Sequence, residues 1–154
     1  MKLRTSIVLC ATMLIGATLC FAADLSMGTW KLNEGKSKIG AGMPKNITVV
    51  YEAAGDMVKA TVDGVDGQGK PTHSVWTGKF DGKDYAVTGD PSSDMRSVKK
   101  IDDHTMELTV KKGGKVTMTG KIVIAADGKS RTLTASAADG MGMKMESMSY
   151  YDKQ

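Results

Sequence analysis

Cysteine is almost missing from this chain. Only Cys10 and Cys20 occur in its 154 residues, and both lie within the first twenty positions. Everything downstream is therefore without disulfides and without cysteine metal ligands, although small exported domains commonly rely on disulfides. Packing and hydrogen bonds have to hold it together. Aromatic residues make up 5% of the chain, so its core is mainly aliphatic. Histidine occurs twice, as His73 and His104. Two isolated histidines do not make a zinc centre, which takes three or four ligands. No segment carries a helical apolar stripe longer than a turn. Beyond the N-terminal leader, no apolar run approaches the roughly 20 residues that a membrane helix needs.

Catalytic patterns are lacking too. There is no Gly-x-Ser-x-Gly elbow, and Ser92-Ser93-Asp94 falls in a turn after Pro91. Asp102 and Asp103 are adjacent in a tight turn and do not face each other across a cleft. The glycine-rich stretch Gly64 to Lys70 is not followed by a helix, as a phosphate loop would be. Asp63 and Asp66 lack the closing acid of an EF-hand. The sequence thus predicts no enzyme, no cofactor and no metal centre.

What is present begins with a leader. Met1-Lys2-Leu3-Arg4 is basic, Ile7 to Leu19 is mostly apolar, and Cys20-Phe21-Ala22 supplies a small-x-small pattern. These are the parts of a secretory signal peptide, expected over 1–22 with the cut between Ala22 and Ala23. Leu19 before Cys20 argues against lipidation of that cysteine. The expected product is one domain over 23–154, periplasmic or secreted, with no membrane span after cleavage. The leader takes away Lys2 and Arg4 and no acid, so the formal net charge falls from +4 to +2. Basic and acidic residues are interleaved thereafter, as in Lys79-Phe80-Asp81, and no basic patch points to nucleic acid.

Turn signals then recur about every dozen residues, the spacing of a many-stranded β domain. They include Gly55-Asp56, Asp66-Gly67, Asp81-Gly82, Gly89-Asp90-Pro91, Asp102-Asp103, Gly113-Gly114, Asp127-Gly128 and Asp139-Gly140. Alternating segments fill the intervals. Ile47, Val49 and Tyr51 share one face, and so do Val58, Ala60 and Val62. Ser74, Trp76, Gly78 and Phe80 form a third set, and Met106, Leu108 and Val110 a fourth. Val116, Met118, Ile122 and Ile124 form a fifth, and Leu133, Ala135 and Ala137 a sixth. Hairpin-sized links make sequential neighbours pair. The predicted fold is all-β, a single up-and-down antiparallel meander of about 8–10 strands, closed into a barrel because closure removes exposed edges.

Two segments carry a family resemblance. Gly28-Thr29-Trp30-Lys31-Leu32 resembles the Gly-x-Trp first strand of the calycin superfamily, which includes lipocalins and intracellular fatty-acid-binding proteins. Tyr151-Asp152-Lys153 is similar to the Tyr-Glu-Lys ending of the fatty-acid-binding proteins. Exported bacterial proteins with a lipocalin-like domain share Gly-Thr-Trp-Lys-Leu-Asn, Gly-Lys-Ser-Lys and a Tyr-x-Lys-Gln end. The resemblance implies a ligand-binding barrel with Trp30 packed across its floor. Two departures qualify what it implies. The interval Asn33 to Lys45 is too short and glycine-rich for the two-helix lid of the fatty-acid-binding proteins. Ser149 also stands where those proteins place a carboxylate-binding arginine.

Candidate site residues follow from these readings. If the barrel is hollow, Trp30, Tyr51, Trp76 and Tyr151 line it. Arg96 is expected on the outer face, although an inward arginine would anchor an anion. Met141, Met143, Met145 and Met148 form an unusual cluster. Thioethers favour Cu(I), but methionine also fills irregular apolar space. The leading expectation is a monomeric, exported, non-catalytic barrel for a small, largely apolar ligand. A filled-barrel interaction or inhibitor module of the envelope and a methionine-based Cu(I) binder stand as alternatives.

Overall fold

A computed structural model describes residues 24–138 and 142–154. The expected signal peptide over 1–22 lies outside the described residues, and so does Met141. Ten strands follow in order: β1 (Gly28–Leu32), β2 (Lys45–Ala54), β3 (Met57–Val65), β4 (Pro71–Gly78), β5 (Tyr85–Thr88), β6 (Met95–Lys100), β7 (Thr105–Lys112), β8 (Lys115–Ile124), β9 (Ser130–Ala138) and β10 (Lys144–Lys153). Each pairs antiparallel with the next, and β10 returns to β1, with Trp30 opposite Lys153 and Leu32 opposite Tyr151. The result is the expected closed up-and-down barrel. Among the described residues the one helical piece is a 3-10 turn at Glu34–Lys36.

The turns behave as their residues require. Gly113 and Gly114 both take positive φ, at 57° and 77°, which the two-residue hairpin between β7 and β8 demands. Between β1 and β2 no lid forms. Asn33 caps the 3-10 turn through its side-chain oxygen, and its Nδ2 donates to Asp152 at 2.7 Å. Lys38 and Met148 then exchange backbone hydrogen bonds of 2.7 and 2.8 Å. This segment is stitched along β10 instead of arching over the mouth.

The alternating positions meet in one core that includes Val49, Val62, Trp76, Val98, Leu108 and Ile122. Two phases differ from the sequence reading. In β6, Arg96 pairs with Val110 and Val98 with Leu108, so Arg96 faces inward and Met95 is left 40% exposed. A strand's face is set by parity, and here the core claims Val98, which carries Arg96 in with it. In β8, Val116 is exposed because the β7–β8 register shifts between Val110 and Lys111.

One end of the barrel is plugged by residues 24–27. Trp30 is fully buried there, and its indole N–H donates to the Ser26 carbonyl at 2.8 Å. Lys153 donates to the Leu25 carbonyl at 2.9 Å and sits 5.0 Å from the Trp30 ring. Asp24 accepts hydrogen bonds from the Ser26 backbone and hydroxyl, and from Lys100.

Candidate functional site

The barrel encloses a cavity of about 50 Å³. Three of the four residues expected to line it do so. Tyr51 comes from β2, Trp76 from β4 and Tyr151 from β10. Trp30 is not on the cavity wall; it forms the floor beneath. Phe80 holds two of these rings in place, stacked on Trp76 at 6.2 Å and edge-on to Tyr51 at 6.2 Å. The Trp76 indole N–H donates to the Arg96 carbonyl at 3.0 Å, and the Tyr151 hydroxyl donates to the Asn46 carbonyl at 3.1 Å. The three lining aromatics are thus already fixed by neighbours.

Two arginines share that cavity wall, and neither was assigned there from the sequence. Arg131 is 4% exposed. Its guanidinium lies 4.7 Å from the Trp30 ring, 4.9 Å from Tyr151 and 5.1 Å from Tyr51, so the three aromatics form a cage around it. Its Nε and Nη1 are buried without a hydrogen-bond partner among the described residues. Arg131 stands opposite Tyr151 in the β9–β10 register. A guanidinium therefore reaches Tyr151 from the neighbouring strand, although Ser149 occupies the same-strand position. The signal was available: Leu133, Ala135 and Ala137 point inward, and one step back along that parity is Arg131.

Arg96 approaches from β6 with 15% of its side chain exposed. Among the described residues its ion-pair partner is Asp90, at 4.0 Å. That carboxylate is already engaged by Ser92 and Ser93 at 2.6 Å each, and the Arg96 Nε has no partner among the described residues. Burial pulls the Arg96 guanidinium below its usual value, while Tyr51 and Asp90 act against that shift. Burial pushes the Tyr151 phenol above its usual value, against the opposing pull of Arg131. It is therefore an O–H donor at neutral pH. The cavity wall includes two guanidinium groups and no carboxylate.

Other candidates lie elsewhere. His73 bonds Asp63 at 2.6 Å on the exposed outer face, and His104 contacts the Ile124 carbonyl at 3.1 Å. No group of three or more His, Cys, Asp or Glu among the described residues is placed to hold a metal. In the methionine cluster, Met145 pairs with Ala137 and Met148 with Thr134. Their opposite parity puts the two on opposite faces of β10. A larger hollow of about 520 Å³ lies open on the outside of β7–β10. Its outward-facing walls are Thr109, Thr119, Thr134 and Ser136 with Glu107, Lys121 and Glu146, none of them buried.

No protein-family model matches the chain. No curated protein matches it either. Among solved structures, EF1p2_mFAP2b bound to DFHBI is similar with 13% identity and a TM-score of 0.48, over 86% of this chain and 97% of that one. A redesigned β-barrel, mFAP1, bound to DFHBI, is similar with 15% identity and a TM-score of 0.44, over 86% and 98%. Likeness at this level carries no argument about function. The barrel assignment rests on the strand pairing itself.

Proposed function

We propose that this chain is an exported, non-catalytic, lipocalin-like barrel that binds one small, largely apolar molecule in its interior. The observation supporting this reading is an interior cavity on which Tyr51, Trp76, Tyr151 and two arginines converge. Ligand sites typically combine an apolar wall with a few placed polar groups, and the rest of this wall is aliphatic apart from Asn46 and Met118. Trp30 serves as the floor that fixes the cage. At about 50 Å³ the cavity is well below the roughly 300 Å³ at which drug-sized pockets begin. A larger ligand must displace side chains, and Met118, the most adaptable one on the wall, is the natural group to yield. Export to the periplasm or beyond rests on the leader, and cell fractionation with N-terminal sequencing tests it.

Binding is tested with the neutral probe N-phenylnaphthylamine, whose emission rises in apolar surroundings. The expected result is a saturable rise at one probe per chain that is lost in Ala60→Leu, which fills the cavity. A linear, unsaturated response, or one that A60L leaves intact, overturns interior binding. The small cavity volume favours a second reading, a filled barrel that acts as an envelope interaction module. On that reading the probe stays dark and the folded protein retains a macromolecular partner.

A further inference from the structure

We propose that the cavity between Arg96 and Arg131 is a binding site for one compact anion, a small oxyanion such as formate or nitrate. The inference rests on the interior-site reading above for its cavity alone and departs from it in ligand class, placing a compact anion at the two guanidinium groups. A guanidinium keeps its charge under all ordinary conditions, so Arg131 is a permanent cation at 4% exposure. Burying a charge without a counter-charge is costly, and the cavity wall includes no carboxylate. The aromatic cage around Arg131 compensates the faces of its guanidinium. It leaves two N–H groups at the edge, Nε and Nη1, with nothing to accept them among the described residues.

Arg96 repeats the pattern. Its Nε is likewise buried and unpartnered, and Asp90 at 4.0 Å is beyond hydrogen-bond range. Unsatisfied buried donors in a native fold ask for a specific explanation, such as a bound water or ion. Guanidinium groups pair with planar oxyanions through short, charge-assisted bonds, often two at once. Size then limits the class. A void of about 50 Å³ holds a few waters, since about 10–15 Å³ suffices for one. An anion of three or four heavy atoms fits, whereas an acyl chain does not without rearrangement.

The test follows the thermal midpoint of the full mature chain in sodium formate or sodium nitrate, with sodium fluoride holding ionic strength constant. Formate and nitrate should each raise the midpoint saturably, because a ligand of the native state stabilises it by mass action. Arg96→Met and Arg131→Met should each weaken the apparent affinity roughly tenfold to a hundredfold, the fold-change for losing a charged hydrogen-bond partner. Arg131→Lys, which keeps the charge, should recover part of the loss. If R131M does not fold, R96M carries the same comparison. Equal midpoints in formate, nitrate and fluoride would mean the cavity holds only water, and the proposal fails. Stabilisation by dodecanoate with none by formate or acetate would also overturn it, because the acyl chain would then be the ligand. N-phenylnaphthylamine binding without any formate effect would sink the anion site and leave the interior-site reading intact. Failure of both probes would remove both.

Discussion

At Gly78 an added Cβ would sit 2.5 Å from Trp76 Cζ2 and 2.6 Å from the Tyr85 ring. The missing side chain lets Trp76 lie between Phe80 and Tyr85, edge-on to the latter at 6.0 Å. Overpacking of a filled core typically costs about 1–3 kcal/mol. Gly78→Ala should lose about that much in urea unfolding and blue-shift or broaden the Trp76 emission. A gain in stability would show that the aromatic group is loosely packed. Tyr151 gives a milder case. Tyr151→Phe removes its bond to the Asn46 carbonyl and should cost about 1 kcal/mol. Arg131 separates binding from stability. Arg131 is buried with no ion-pair partner among the described residues, so Met in its place removes a desolvation cost without orphaning a counter-charge, and Met keeps sulfur–aromatic contact with the cage. Unfolding free energy of R131M should therefore not fall. A loss above about 3 kcal/mol, as expected when a buried charge pair is broken, would make Arg131 a structural strut.

The plug at residues 24–27 is an element whose hold depends on pH. Burial opposes ionisation of Asp24, yet bonds from Ser26 and the Lys100 ammonium outweigh it and hold the carboxyl below its ordinary 3.8. A depressed carboxylate contributes stability above its unfolded value and loses it as pH falls through the folded one. Between about pH 5 and pH 2, exchange of the Trp30 indole N–H should accelerate, since its acceptor is the Ser26 carbonyl. In Asp24→Asn the exchange should be fast already near neutrality and show little further acid response. Identical acid profiles for D24N and the parent chain would dissociate the plug from Asp24.

Element boundaries also show what the sequence could carry. β3 and β7 were readable because clean alternation ends at Gly or Asp turns, and Val58, Ala60 and Val62 are buried as their parity requires. β6 was misphased because its apolar Met95 and its charged Arg96 suggested the opposite faces. Only pairing with Val110 and Leu108 settles the phase. Val116 failed for a similar reason, since a register shift across the hairpin is invisible in one strand alone. Three of the four expected lining aromatics were legible from alternation. Arg131 was legible from the same parity, one step back from Leu133, whereas Arg96 was not, because only cross-strand pairing fixes the phase of β6.

At the scale of the whole molecule, closure does two things. Pairing β1 with β10 leaves no free sheet edge, and it brings Trp30, Tyr51 and Tyr151 from opposite ends of the chain around one guanidinium. A short meander open between β1 and β10 would leave that cation in water. The internal space and the two guanidinium groups on its wall are what distinguish this barrel from a purely structural one. The most direct measurement is an NMR titration of nitrogen-labelled protein with formate or N-phenylnaphthylamine. It follows the Nε–H signals of Arg96 and Arg131 and the indole N–H of Trp76. The account predicts that these buried signals move together and saturate while exposed amides on β7–β10 stay in place. Buried signals that remain fixed under both additions would contradict it.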